Sequence, residues 1–414
     1  MTMNEFLIND TPVKIWAKVL DPIAYRQIYN LAALPFVFHH LAFMPDVHAG
    51  VGMPIGGVLA TKGVVVPNAV GVDIGCGMCA VKTNVRVEDI TAEVLRKGIM
   101  RGVRKRIPLG MDRHKTAQDE SLMPQGFDID SMTIVKNQYK SALKQIGTLG
   151  GGNHFIELDK DDDENVYLVI HTGSRNLGKQ VAEIYQAKAV KHLTAGADEF
   201  EETIKRTIEE YKAAGRRSEL QDVIKKMRKE YKAAEPSLPA DLCYIEGEAR
   251  EHYLHDMRIC QRWAVLNRKL ISLLLTRFFL DVAVLEEFES VHNYISDENI
   301  IRKGSISAAE GERCIIPLNM RDGSLLCTGK GNPDWNYSAP HGAGRVLSRT
   351  QAYEKITMED FEASMQGIYS ESVNDFTRDE SPMVYKPASE IIANIGDTVT
   401  IDTIIRPIFN FKAS

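Results

Sequence analysis

Residues 71–79 read GVDIGCGMC and place one aspartate and two cysteines among glycines. The cysteines are spaced as a redox pair or as half of a zinc knuckle, and Asp73 is an alternative partner for Cys76. The glycines allow the backbone to turn tightly, so the loop can present its side chains to one point. The residues of this stretch alone leave all three interpretations open.

Short apolar runs broken by glycine and proline surround this stretch and predict strands joined by tight loops. A further run, VYLVIH at 166–171, predicts a buried strand that ends on His171, and short strands return over 282–350. Between these regions the sequence predicts helices at 88–106, 198–213, 217–234 and 249–280.

The composition is that of an ordinary globular protein, with 414 residues, 44% of them apolar and 26% charged. The most apolar stretch, 264–285, is interrupted by basic residues, which argues against a membrane span. The N-terminus lacks the basic segment of a secretory signal, and the six cysteines are unevenly spaced. We therefore expect a cytoplasmic protein, with one domain over 1–414 and a helical hairpin inserted at about 195–240.

One segment departs from the overall net charge of −6. Residues 96–106, RKGIMRGVRKR, hold six positive charges and no acid. Clusters of this kind neutralise phosphate in nucleic-acid-binding proteins, but they also occur as ordinary solvated helix faces. The segment is therefore either a wall that binds anions or a solvated face.

Four of the eleven histidines stand in glycine loops or directly after apolar runs: His154, His171, His292 and His341. Rigid scaffolds often present functional side chains from such positions, although a single histidine of this kind is more often a core residue. Together with Asp73 and Cys76, the first three offer too many donors for one tetrahedral ion and suit two ions that share a thiolate. Ligand softness alone favours zinc.

His341 lies in the loop SAPHGAGR at 338–345, where glycines flank a small residue before Arg345. Such a loop lets a phosphate approach the backbone, and Arg345 can hold it by charge-assisted hydrogen bonds. His341 is then either a metal ligand or a nucleophile, because a neutral imidazole can attack phosphorus and form a covalent intermediate.

Taken together, the ordered motifs of this chain resemble those of the RtcB family of RNA ligases. The stretches that carry the resemblance are MPDVHAGVG (44–52), VGVDIGCGM (70–78), GTLGGGNHFIE (147–157), HTGSRNLG (171–178), HNY (292–294), RKGSISA (302–308), SAPHGAGRVLSR (338–349) and Lys412. The likeness runs from about residue 11 to the C-terminus, and only the region 195–240 lacks a clear counterpart.

The resemblance implies an α+β fold in which mixed β-sheets flanked by helices surround a central cleft for metal and nucleotide. It implies an enzyme that joins RNA ending in a 2′,3′-cyclic phosphate or 3′-phosphate to RNA with a 5′-hydroxyl. The implied cofactors are GTP and two manganese ions, and we follow the family in preferring manganese to zinc. His341 looks like the histidine that becomes guanylylated.

The resemblance also assigns the remaining site residues. The implied metal ligands are Asp73, Cys76, His154, His171 and His292, with Cys76 bridging two ions. Asp73 is then the partner of Cys76, and Cys79 is a small buried residue. The implied nucleotide-binding residues are Asn153, Phe155, Glu157, Asn293, Pro317, Asn319, Ser324, Gly342, Ala343, Gly344, Tyr385 and Lys412. Glu157 would accept from guanine N1–H and N2–H₂, and Lys412 would donate to O6. The RNA-binding residues that we predict come from the basic segment and the glycine loop instead, and they are Arg101, Arg104, Lys105 and Arg345.

The stretch PLNMRDGS (317–324) departs from the family pattern, because Leu318 and Arg321 stand where family members carry glycine. This departure leaves the nucleotide preference open. Two other functions compete with ligation: a two-metal phosphoesterase that only opens cyclic phosphates, and a non-enzymatic RNA-binding protein that uses the basic segment and the hairpin. The motifs identify no activating partner protein.

Overall fold

The structure is a computed structural model that describes residues 4–91, 93–95, 101–231 and 235–412, with the backbone alone at Arg101 and at 278–280. None of the helices in these ranges is long and apolar enough to cross a membrane. The strands, numbered along the chain, are β1 (Asn4–Ile8), β2 (Thr11–Ile15), β3 (Leu41–Val51), β4 (Met53–Ala60), β5 (Val64–Val65), β6 (Gly77–Arg86), β7 (Phe155–Lys160), β8 (Asn165–Thr172), β9 (Ile245–Glu246), β10 (Val284–Val291), β11 (Asn293–Ile295), β12 (Ile300–Lys303), β13 (Ser305–Ser307), β14 (Arg313–Asn319), β15 (Gly323–Gly329), β16 (Ser338–Pro340), β17 (Tyr369–Ser370) and β18 (Val399–Lys412). The α-helices are α1 (Pro22–Ala32), α2 (Pro67–Val70), α3 (Arg101–Arg106), α4 (Thr133–Gln145), α5 (Arg175–His192), α6 (Ala197–Ala213), α7 (Leu220–Glu230), α8 (Gly247–Leu274), α9 (Arg349–Lys355), α10 (Met358–Ser364) and α11 (Ala388–Asn394).

Two sheets organise these elements. One has the strand order β1-β2-β3-β4-β12-β11, and the other has the order β10-β6-β8-β7-β18-β15-β14. Most neighbouring strands are antiparallel, whereas β2 with β3 and β17 with β18 are parallel. Helix α1 packs on β3 and β4, and α8 packs on β6 and β8. Mixed sheets flanked by helices confirm the predicted α+β class.

The second sheet brings the ends of four strands to one edge. Strand β6 begins directly after Cys76, and β7 begins directly after His154. Strand β8 ends one residue after His171, and β10 ends just before His292. Because neighbours in the order β10-β6-β8-β7 are antiparallel, these starts and ends fall at the same edge of the sheet. Side chains far apart in sequence therefore meet there.

Arg268 on α8 ties this edge to the helix behind it. Its side chain is fully buried, and Nη1 donates to the carbonyl oxygens of Gly75 (3.0 Å) and Thr172 (2.7 Å). Nε and Nη2 donate to Glu289 at 3.1 and 2.7 Å, so the buried charge is paired. One guanidinium thus holds the loop before β6 against the end of β8.

The polar region that follows β8 and α5 along the chain is helical, as the sequence predicts. Helices α6 and α7 confirm the two predicted amphipathic helices, although α7 ends at Glu230, and 232–234 lie outside the described residues. The rings of Phe200 and Tyr231 stack with centroids 3.7 Å apart and hold the two helices together. The interpretation of this pair as an insertion into a single domain stays a prediction.

Three other predicted elements have mixed outcomes. The strand at 166–171 is confirmed within β8, and the helix at 249–280 is confirmed as α8 with a π-helical continuation at Leu275–Leu280. Within the predicted helix over 88–106, the described residues 93–95 are helical and α3 spans Arg101–Arg106. Val87–Asp89 is a 3₁₀ turn instead, and 96–100 lie outside the described residues.

Candidate metal centre and nucleotide cleft

The structure brings all five predicted metal ligands together at the sheet edge. Two groups of side chains place one ligand atom each within 4.8 Å of one another: Cys76 with His171 and His292, and Cys76 with Asp73 and His154. The Cys76 sulfur lies 3.3 Å from Nε2 of His171 and 3.5 Å from Nε2 of His154. Cys76 is therefore the one side chain that the two groups share.

The hydrogen bonds of two of these histidines fix which nitrogen faces the centre. His154 Nδ1 donates to the carbonyl oxygen of Leu149, and His171 Nδ1 donates to that of Asn153, both at 3.0 Å. A neutral imidazole that donates from Nδ1 presents a lone pair at Nε2. Backbone acceptors of this kind commonly orient histidines that bind metal.

The lone pairs at the centre face other electron-rich atoms. His154 Nε2 lies 3.0 Å from Asp73 Oδ2, and His171 Nε2 lies 3.4 Å from His292 Nε2. Lone pairs at these distances repel one another. Burial lowers the pKa values of His171 and His292 well below the usual range, so protonation of these two rings is unfavourable and does not remove the repulsion. A divalent cation relieves it, and the Asp, Cys and His donors therefore fit a metal centre.

The thiols of Cys76 and Cys79 are both buried, but they have different surroundings. Burial raises the pKa of the Cys76 thiol well above its usual range, and the Asp73 carboxylate raises it further. A metal ion reverses this effect, because a coordinated thiol is deprotonated. Cys79 packs among apolar side chains such as Val81 and Ile170, which confirms the prediction of a small buried residue.

A glycine makes room for the carboxylate of Asp73. A Cβ at Gly173, two residues after His171, would lie 2.1 Å from Asp73 Oδ1, so no other residue fits without displacing the carboxylate. Gly75 has a φ of +73°, and a Cβ there would lie 2.7 Å from the Cα of Gln261 on α8. These contacts explain the glycines around the motif in terms of close packing.

His341 lies beside the cluster, held by an aspartate. Its Nδ1 donates to Asp46 Oδ2 at 2.8 Å, and its ring centroid lies 5.0 Å from that of His292. Asp46 is fully buried in β3, and a Cβ at Gly344 would lie 2.2 Å from its carbonyl oxygen. The hydrogen bond to Asp46 leaves the Nε2 lone pair of His341 available to attack an electrophile.

A cavity of about 1230 Å³ lies beside the cluster, and His171, His292 and His341 are among the residues that line it. Most of the predicted nucleotide-binding residues line it, namely Asn153, Phe155, Glu157, Pro317, Asn319, Gly342, Ala343, Gly344, Tyr385 and Lys412. Asn293 and Ser324 do not. The Asn293 side chain instead donates to the Asp73 carbonyl oxygen (3.2 Å) and accepts from Gly304 N (3.0 Å). These two hydrogen bonds hold the loop that carries Asp73 in place.

One end of the cavity is organised by Glu380, which is 2% exposed. Its carboxylate accepts from Lys412 Nζ (2.8 Å) and from the Tyr385 hydroxyl (2.6 Å). Arg345 and Arg349 reach its other oxygen at 3.2 and 3.5 Å. Although burial raises the pKa of Glu380, these partners outweigh it and hold the pKa at about 2. An ionised carboxylate thus fixes four side chains at the cleft.

Glu157 lines the same cavity, but its pKa is shifted in the direction opposite to that of Glu380. It is buried in β7 and accepts from Asn410 Nδ2, while Lys412 Nζ lies over the Phe155 ring at 5.5 Å from its centroid. Burial raises the pKa of Glu157 to about 7, against the lowering effect of Asn410 and Lys412. A pocket with an acceptor carboxyl and a cation close together can read the hydrogen-bonding edge of a base.

The predicted RNA-binding cations lie in different settings. Arg345 lines the cavity, but its guanidinium is engaged with Glu380 and with the Asp379 carbonyl oxygen (2.6 Å). Arg104 is exposed and forms an ion pair of 3.0 Å with Glu371. Lys105 is exposed, and the side chain of Arg101 lies outside the described residues. Their roles stay predictions.

Sequence reasoning gave no role to Asp46 or Glu380. Asp46 stands in the quoted motif MPDVHAGVG, so its position was visible, but its contact with His341 spans 295 residues. Glu380 carried no signal of its own, because an acid next to aspartate in a polar loop is ordinary. Only the fold shows that Lys412, 32 residues later, is its partner.

A family model described as "tRNA-splicing ligase RtcB" matches residues 27–413 of this chain. The chain belongs to the RtcB family. "RNA-splicing ligase RtcB" of Escherichia coli is 29% identical, with 97% of this chain and 98% of the relative covered. "tRNA-splicing ligase RtcB" of Methanococcus maripaludis is 26% identical over 91% of this chain and 88% of its own length. "RNA-splicing ligase RtcB" of Mycobacterium tuberculosis is 28% identical over 88% and 94%.

The stretch that departs from the RtcB pattern forms the turn between β14 and β15. Asn319 Oδ1 accepts from the backbone nitrogens of Arg321 (3.0 Å) and Asp322 (2.9 Å) and closes the turn. The Arg321 guanidinium forms an ion pair of 2.8 Å with the carboxylate of the next residue, Asp322. Leu318 is 4% exposed and packs in the apolar cluster below the turn. Leu318 and Arg321 are therefore accommodated within the hairpin of β14 and β15.

Proposed function

We propose that this chain is an RNA ligase that joins RNA ending in a 3′-phosphate or 2′,3′-cyclic phosphate to RNA with a 5′-hydroxyl, using GTP and manganese in the cytoplasm. One observation carries the proposal. A histidine that Asp46 orients as a nucleophile lies beside two overlapping metal-binding groups, in one cleft large enough for a nucleotide. Membership of a family named for RNA and tRNA splicing supports RNA as the substrate.

His341 is the proposed acceptor of GMP. Its Nε2 lone pair attacks the α-phosphorus of GTP, a P–N bond forms, and the bond to the β-phosphate oxygen breaks as pyrophosphate leaves. The imidazole becomes positively charged in this step, and the Asp46 carboxylate at Nδ1 stabilises that charge. GMP then passes to the RNA 3′-phosphate, once any cyclic phosphate has been hydrolysed, and the 5′-hydroxyl displaces it.

The five side chains Asp73, Cys76, His154, His171 and His292 would hold two manganese ions. Bound ions would supply positive charge to the phosphate oxygens during attack and displacement. The chain's own contribution is to orient the ligands, through the carbonyl oxygens of Leu149 and Asn153 behind two of the histidines.

A joining assay with defined RNA ends tests this function. We expect ligation of a 3′-phosphate end and of a 2′,3′-cyclic phosphate end to a 5′-hydroxyl end, and it should require both GTP and manganese. Replacing GTP by ATP, or manganese by zinc, tests the nucleotide and the metal separately. Phosphate-ester hydrolysis without any joined product, with or without GTP, would contradict ligation and favour the phosphoesterase.

Glu380→Gln should raise the KM for GTP about 10- to 100-fold, because one charge-assisted hydrogen bond is worth about 1.5–3 kcal/mol. Lys412 and Tyr385 lose their shared anionic acceptor, whereas the chemistry at His341 is untouched, so kcat should change much less. Steady-state RNA joining over a range of GTP concentrations measures both constants. Glu359→Gln, an exposed carboxylate on α10, is the matched control. Unchanged KM in a folded Glu380→Gln protein would show that Glu380 does not position the nucleotide pocket.

A further inference from the structure

The loop that follows α3 is attached to the peptide that orients the metal ligand His154. Leu149 N donates to the Pro108 carbonyl oxygen (3.0 Å), and Gly110 N donates to that of Gly150 (2.9 Å). Leu149 also provides the carbonyl oxygen that accepts from His154 Nδ1. The docking loop, residues 109–115, is therefore fixed to the metal centre on its inner side.

The docking loop also borders the cleft. Arg175 donates from Nη2 to the Gly110 carbonyl oxygen. A Cβ at Gly151 would lie 3.4 Å from the Gly110 Cα, and a Cβ at Gly152 would lie 3.8 Å from Nη2 of Arg349. Arg349 lines the cavity, so the docking loop stands at the rim, on the side of the metal centre.

The outer side of the docking loop presents an unusual set of side chains. Met111 is 97% exposed, the most open large apolar side chain among the described residues. Arg113 and Lys115 are exposed, and neither forms an ion pair within the described part of the chain. Lys105 and Arg106 on α3 are exposed and unpaired among these residues too. Residues 101–118 hold six basic residues and one acid in a chain of net charge −6.

We propose that the docking loop binds the single-stranded RNA that leads into the cleft, with Arg113 and Lys115 on consecutive phosphates and Met111 against a base. The inference rests on the proposed ligase function, and it names the surface outside the catalytic cleft that holds the RNA end. Unpaired cations suit a phosphate backbone, because binding releases the counterions of the strand. A polarisable thioether packs favourably on an aromatic ring, which every base provides. Because backbone hydrogen bonds hold the loop in place, little ordering is needed on binding.

The test measures binding of a short fluorescein-labelled single-stranded RNA with a 3′-phosphate, by fluorescence anisotropy over a salt series and without GTP. Arg113→Glu/Lys115→Glu should weaken binding at least about tenfold, and it should reduce the slope of log affinity against log salt by about 1.4 for two lost phosphate contacts on a single strand. Met111→Ala should weaken binding at least about threefold with an unchanged slope, whereas Met111→Tyr should restore or improve it, because base stacking tolerates any aromatic partner.

The matched control is Lys225→Glu/Lys229→Glu on α7, which reverses two exposed cations that form no ion pair within the described residues. RNA affinity like that of the wild type in Arg113→Glu/Lys115→Glu would overturn the proposal and point to a protein partner for this surface. Equal weakening by the α7 control would also overturn it, because net charge would then explain the effect. All variants should form the GMP adduct at the wild-type rate in the absence of RNA. If wild-type protein forms no adduct and joins no RNA, the ligase function fails, while the anisotropy result still decides whether the docking loop binds RNA.

Discussion

Replacing His341 by alanine should abolish RNA joining, with a fall in rate of at least about 10⁴-fold, as expected when a covalent nucleophile is removed. The prediction rests on the position of the ring, whose Nδ1 is held by the buried Asp46 at 2.8 Å and whose centroid lies 5.0 Å from that of His292. Single-turnover ligation with saturating GTP, manganese and RNA ends measures the rate. His40→Ala, which removes an imidazole that contacts the Asp334 carbonyl oxygen and does not line the cavity, should ligate normally.

Asp46→Asn provides the finer test of the same arrangement. The amide keeps the shape of the side chain, but it can present a donor to His341 Nδ1 and favour the wrong tautomer, so we expect a loss of about 10²- to 10⁴-fold. The RNA dissociation constant should stay unchanged, because Asp46 is buried behind the nucleophile. His341→Ala protein that ligates within tenfold of the wild-type rate would remove His341 from the mechanism.

Replacing Cys76 by serine should remove ligation and lower the metal content of the protein. Wild-type protein loaded with manganese should hold two ions per chain, and Cys76→Ser should hold one or none. Cys76 belongs to both ligand groups, so its loss affects both ions. The affinity for manganese should fall more than about 100-fold. Loss of a residue that only hydrogen-bonds to a metal ligand already lowers metal affinity about 10- to 100-fold. Metal content after gel filtration and manganese titration measure the effect.

Cys79→Ala is the matched control for this experiment, since it removes a buried thiol three residues away. Cys79 packs in an apolar cluster and lies in neither ligand group, so metal content and ligation should persist with a loss of about 1 kcal/mol in stability. Two manganese ions bound to folded Cys76→Ser with wild-type affinity would contradict the bridging role. Loss of metal in Cys79→Ala would show instead that the pair Cys76 and Cys79 forms the site.

Several parts of the fold and site were readable from local sequence. Amphipathic periodicity predicted α6 and α7, because a stripe of apolar residues such as Val223 and Ile224 must pack on a partner helix. The ligand candidates were visible because glycine loops and strand ends present side chains from rigid elements. Their convergence was not visible, because it depends on the strand order β10-β6-β8-β7, and no local pattern records which strands are neighbours.

Other features depended on contacts that sequence does not encode locally. The loop glycines before Arg345 suggested a phosphate contact, but the fold also engages its guanidinium with Glu380. The sequence suggested one long helix over 88–106, whereas Val87–Asp89 is a 3₁₀ turn, and α3 leads into a loop tied by backbone hydrogen bonds to 149–150. The candidate metal ligands could therefore be named in advance, while the residues that orient them could not.

The most direct test of the central claim is to locate GMP on the protein. After incubation with α-labelled GTP and manganese, the wild-type chain should carry one GMP on the peptide that contains His341, and the bond should be acid-labile as a P–N bond is. His341→Ala should remain unlabelled. Label on another residue, or RNA joining by a protein that never acquires GMP, would contradict the account.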